Sequence, residues 1–139
     1  MVYIWLSTSS ELPDIAVLHP FKVIVVVERA VGTEQLTAIS HWLVESGCLY
    51  MMAWGVNCHS WIKALAQANL AAFEVTDTQG VPDDRLVITT SHEKDSLQDV
   101  FWFSRHTAMH PCAKLDNTVL LHLSEAERES QLTADYFNA

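Results

Sequence analysis

Seven consecutive residues, Phe21-Lys22-Val23-Ile24-Val25-Val26-Val27, constrain this chain more than any others. Six are apolar and five are β-branched. A helix would restrict those stiff side chains against its preceding turn, whereas a pleated sheet packs them well. The run also lacks the apolar–polar alternation of a strand with one wet face. It therefore reads as a central strand buried on both sides, the kind found in parallel sheets covered by helices.

The rest of the chain supplies those helices. Val2-Tyr3-Ile4-Trp5-Leu6 is a short β-prone run suited to an edge strand. After the central run, Gly32-Thr33 offers an N-cap at Thr33, and Leu36, Ile39 and Leu43 recur at helical spacing up to Gly47. Leu49 to Trp54 is a second buried strand, stopped by Gly55, and Ser60 to Ala72 reads as a helix. A polar loop from Glu74 to Arg85 leads to a third strand, Leu86 to Thr90. Ser96 to Ala108 is a helix, barred from continuing by Pro111, and Thr118 to Leu123 is a fourth long strand. Ser124-Glu125-Ala126-Glu127 has the form of a capping box opening a last helix. Strand and helix alternate four times after a short first strand. This pattern predicts one α/β domain over residues 1–139, a three-layer α/β/α arrangement. Its mostly parallel sheet has four to five strands, in a flavodoxin-like or Rossmann-like style.

Charge narrows the function classes. Seventeen acidic residues stand against eight Lys and Arg, a formal net charge of −9. Such a surface repels phosphate backbones and anionic membranes, so neither nucleic acid nor membrane is expected as a partner. It suits a basic protein partner approached by electrostatic steering. Three cysteines, Cys48, Cys58 and Cys112, form no CxxC pair, and their odd number opposes a disulfide framework. Reduced cytoplasmic thiols are the simplest reading. The N-terminus lacks a signal-peptide pattern, and no apolar run is long enough to cross a bilayer.

Open parallel sheets bind ligands outside the carboxyl ends of their strands. That rule selects Glu28 and Arg29 after the first buried strand, and Asn57, Cys58 and His59 after the second. After the third it selects His92 and Glu93. A ligand-binding crevice would use Glu28, Arg29 and Asn57. A catalytic one would use Cys58 as nucleophile near a helix N-terminus, His59 or His92 as base, and Glu93 to orient the imidazole. The plainer alternative is that Cys58 is a buried, inert cysteine, as most are. No HxH, HxxxH or CxxH spacing supplies paired zinc ligands, so no metal is expected. GxGxxG, P-loop and GxSxG patterns are missing, so no nucleotide cofactor and no nucleophile elbow are expected. A flavodoxin-like outline is shared with response-regulator receiver domains. Those carry an acidic pair after the first strand, a phospho-acceptor Asp after the third and a Lys after the last. Val27-Glu28-Arg29, Thr90-Ser91-His92 and the lack of a Lys after Leu123 depart from that pattern, so its chemistry is not implied.

Two surfaces suit protein partners. The helix from Ser96 is apolar nearly all round, with Trp102 and Phe103 beside its core stripe, and Trp61 adds a further aromatic anchor. Acidic residues gather at Glu74, Asp77, Asp83 and Asp84, and again from Glu125 to Asp135. The expectation is a non-enzymatic protein-binding module, of immunity-type or regulatory kind, that self-associates as a homodimer. The alternative is a small enzyme or ligand-binding protein using the crevice around Cys58, His59, His92 and Glu93.

Overall fold

A computed structural model describes all residues, 1–139. Five strands form one sheet: β1 (Val2–Leu6), β2 (Phe21–Val27), β3 (Cys48–Gly55), β4 (Ile88–Ser91) and β5 (Asn117–Leu123). Four helices follow in turn: α1 (Thr33–Glu45), α2 (Ser60–Ala72), α3 (Leu97–His106) and α4 (Glu129–Phe137). The strand order is β1-β5-β2-β3-β4 and every pair is parallel. The layering expected from the sequence is present. The order itself is neither the 2-1-3-4-5 of flavodoxin nor the 3-2-1-4-5-6 of the dinucleotide-binding fold.

The central run behaves as its composition demands. All seven residues of β2 are buried, and β2 pairs with β5 on one side and β3 on the other. Its side chains alternate between two cores. Val23, Val25 and Val27 join α1 and α2 on one face through Ile39, Leu43, Trp61 and Leu65. Ile24 and Val26 join α3 and α4 on the other through Val100, Phe101, Leu132 and Tyr136. Burying each such aliphatic side chain contributes about 1.5–3 kcal/mol. The connections β1–β2, β2–β3 and β3–β4 run one way across the sheet on the first face. The return from β4 to β5 uses the second face, as a single crossover hand requires.

Several element ends differ from the sequence reading. Helix α1 takes Gly32 as its N-cap, with Thr33 already inside. The Ser96 hydroxyl does cap α3, accepting from the Asp99 amide. The capping box at Ser124 does not open a helix. Ser124 Oγ donates to the Ala126 carbonyl at 2.6 Å instead, and α4 begins at Glu129. Trp61, expected at an interface, is 1% exposed and belongs to the first core. Helix α2 turns it inward, beside Leu65 and Ala68, so it offers no surface to a partner.

Gly55 closes β3 with φ at +105°, and a Cβ there would sit 2.0 Å from the Val27 carbonyl oxygen. Gly55→Ala is expected to lower stability by roughly 2 kcal/mol or more, combining a left-handed non-glycine residue with a backbone clash. The expected readout is a lower urea midpoint.

Candidate functional site

Strands β5 and β2 are neighbours, yet the chain leaves β5 toward α4 on one face and β2 toward α1 on the other. This divergence is the topological switch point where ligands of parallel sheets bind. Four side chains meet there. His122, inside β5, is 0% exposed. Its Nε2 lies 2.5 Å from Glu28 Oε1 at the end of β2. Its Nδ1 lies 2.6 Å from the Tyr3 hydroxyl on β1. The Arg128 guanidinium, just before α4, donates to the same Glu28 oxygen, while the Arg128 amide donates to Tyr3 Oη at 3.0 Å.

The donors and acceptors form one directed chain. The Arg128 amide donates to the Tyr3 oxygen, the Tyr3 hydroxyl donates to Nδ1, and the Nε2 proton points at Glu28. This assignment, made from the partners, satisfies every group with a neutral imidazole. Burial, the largest influence on Glu28, opposes its charge. Hydrogen bonds from Arg128 and His122, together with the positive charge of the Arg128 guanidinium, overcome that and hold its carboxyl below the usual glutamate range. Burial pushes the Tyr3 phenol up, against the Arg128 amide and with help from Glu127 and Glu129. Arg29 braces the same end of the sheet from the other face, donating to Leu6 O and Gln35 Oε1, each at 3.2 Å.

The second cluster lies at the ends of β3 and β4. Cys58 is 1% exposed, and burial raises its thiol, so the environment opposes a thiolate. His92 is also buried and has both nitrogens engaged. Nε2 meets Thr90 Oγ1 and Nδ1 meets Asp95 Oδ2, each at 2.8 Å, and Phe103 packs edge-on against the ring. His59 Nδ1 pairs with Glu93 Oε1 at 3.1 Å, both exposed. The structure thus gathers Cys58, His59, His92 and Glu93 at one end without linking thiol, base and carboxylate into a relay. Asn57 and His59 instead line a cavity of about 200 Å³ between the starts of α1 and α2. No three His, Cys, Asp or Glu side chains are placed to hold a metal ion.

Sequence reasoning found Glu28 and Arg29 but missed Tyr3, His122 and Arg128. The one ionisable residue inside Thr118-Val119-Leu120-Leu121-His122-Leu123 was the available signal, because a histidine within a buried strand needs partners. Trp102 is 53% exposed and stacks on His106, whereas Phe103 is half-buried against Tyr50 and His92.

The fold and its switch point define a parallel-sheet α/β protein with a carboxylate–imidazole–phenol chain. Over residues 1–139 the sequence matches the family described as Domain of unknown function (DUF7684), and the chain belongs to that family. No curated protein and no solved structure matches it.

Three outcomes follow from this geometry. Because the folded carboxyl of Glu28 is held low, its contribution is fully present above the ordinary glutamate value of about 4.3 and is lost as pH falls toward the folded value. The stability gap between the natural chain and Glu28→Gln, read by urea unfolding, should be widest above pH ~4.5 and shrink on acidification. Tyr3→Phe, which leaves Nδ1 and the Arg128 amide without their partner, should cost about 1–3 kcal/mol. In a thiol-labelling assay on the folded protein, Cys112 should react and Cys48 and Cys58 should not, since only Cys112 is exposed.

Proposed function

We propose that this chain is a non-enzymatic protein-binding module that self-associates through β1. One observation carries the reading: the edge strand β1 has unpaired backbone and no charged side chain to protect it. Strand β1 pairs only with β5, and the outward backbone groups of Val2 to Trp5 have no partner within the chain. Proteins normally blunt such an edge with charge, proline or a bulge. Here the first ten residues carry no charged side chain, and Met1, Val2 and Trp5 are each 37% exposed. The opposite edge, β4, is only four residues long and reads Ile88-Thr89-Thr90-Ser91.

A second copy is the partner this edge fits. Two β1 strands related by a two-fold axis would run antiparallel and extend the sheet from five strands to ten. The strands themselves bring no charged side chain into that pairing. The exposed acids Asp77, Asp83 and Asp84 lie in the loop before β4, away from β1, and with the exposed Glu125 and Glu127 suit a basic protein, in a regulatory or immunity-type role. The enzyme reading lacks support from Cys58, buried without a free imidazole. The cavity at Asn57 and His59 favours a second reading, a small-ligand module at the same end of the sheet.

Sedimentation equilibrium tests the first reading. The natural chain should sediment at about twice 15.6 kDa. The double substitution Val2→Lys and Trp5→Lys places two charges on each edge and should return it to one protomer. A natural chain that stays monomeric at high concentration would refute self-association.

A further inference from the structure

At the amino-terminal end of the sheet, opposite the Glu28–His122 chain, lies a cavity of about 320 Å³. Three of the chain's eight Lys and Arg line it: Lys22, Arg105 and Lys114. Of seventeen acids only Asp116 does. An even scatter would place more acids than bases among eleven lining residues, so the sign is reversed locally.

Lys22 is 9% exposed and forms no ion pair with any carboxylate. Its ammonium donates to the Ser104 carbonyl. That oxygen is left over in the last turn of α3, because the Ala108 amide turns to Phe103 instead. One of three N–H donors is thereby used, and two remain. Burial also disfavours the lysine's charge, which a neighbouring anion would restore. Arg105 is similarly half-engaged. Its Nη1 donates to the Tyr136 and Phe137 carbonyls at 3.4 and 2.9 Å and to Ala139 O at 2.9 Å, while Nε and Nη2 have no acceptor in the chain. The Nε–Nη2 edge is the fork that grips two oxygens of one oxyanion. His110 is not free to help, because Nε2 meets Leu86 O and Nδ1 accepts from the Cys112 amide.

The geometry points to a binding site for a small phosphate-bearing anion, held by Lys22 and the open edge of Arg105 with Lys114 at the rim. Ala108, Met109 and Leu115 supply an apolar wall for an attached organic group. The volume falls at the lower end of the range for small-molecule sites, roughly 300–1,000 Å³. This site is independent of β1 and of the protein-binding reading.

Amide chemical-shift titration of the full chain, with phenyl phosphate and separately with inorganic phosphate, tests it. Saturable shifts centred on Thr107 to His110 and Lys114 to Asp116 are expected. Tighter binding of phenyl phosphate assigns an organic phosphate, and equal binding assigns the free ion. Lys22→Met should weaken binding about tenfold, the equivalent of one charge-assisted hydrogen bond. Lys63→Gln, on the exposed face of α2, should change nothing. Lys114→Gln should weaken it roughly two- to fivefold, and because Lys114 is exposed this variant decides the matter if Lys22→Met does not fold. Shifts that never saturate, or affinity unchanged in Lys114→Gln and in any folded Lys22→Met, would overturn the site.

Discussion

Strand β2 is the member on which everything else rests. It lies third in the five-strand order, hydrogen-bonds on both sides and buries side chains into both cores. A strand in that position must satisfy its backbone through its two neighbours and its side chains through helices above and below. Every helix is placed by that requirement. Lys22 shows how strict it is. The one charged residue in the strand sits at its entrance, where its ammonium meets the frayed end of α3. Two positions further along, nothing but Val and Ile is used.

At the exit of β2 the chain changes chemistry abruptly, from Val27 to Glu28. There a buried imidazole would be costly alone, since an unpaired polar group in a core loses several kcal/mol (roughly 2–7) relative to water. His122 avoids that cost because β1 supplies Tyr3, β2 supplies Glu28 and the approach to α4 supplies Arg128. Each partner comes from a different segment, so the network also fixes how those segments meet. A buried polar network of this kind is strong when complete and costly when broken. Its groups resemble a catalytic relay in kind, yet the imidazole is sealed from solvent and both nitrogens are engaged. The arrangement orders the segments that it joins.

The layered architecture was legible because local composition dictated it: a β-branched run, a glycine closing β3 and apolar residues at helical spacing. The network was illegible for an equally physical reason. Tyr3 and His122 are 119 residues apart, and Glu28 and His122 are 94 apart. They meet only because β5 inserts between β1 and β2, an order no local pattern encodes. Ser124 misled for a related reason. A serine side chain finds whichever backbone partner is near, and here Ala126 outcompeted a helix start. Trp61 misled because its size suggested a surface anchor, while the helix phase of α2 carried it inward. Glu28 and Arg29 were found because the strand-end rule needs only the strand's boundary.

The two edges of the sheet are unequal, and that inequality has a consequence for assembly. Filaments need a surface that accepts the next copy at each end of the growing array. This sheet is inviting along β1 and brief and hydroxyl-rich along β4. A pair joined at β1 would present β4 at both of its outer ends, where the short strand offers little to a further copy. Such pairing would hide the longer edge and so escape the usual hazard of open-ended polymerisation.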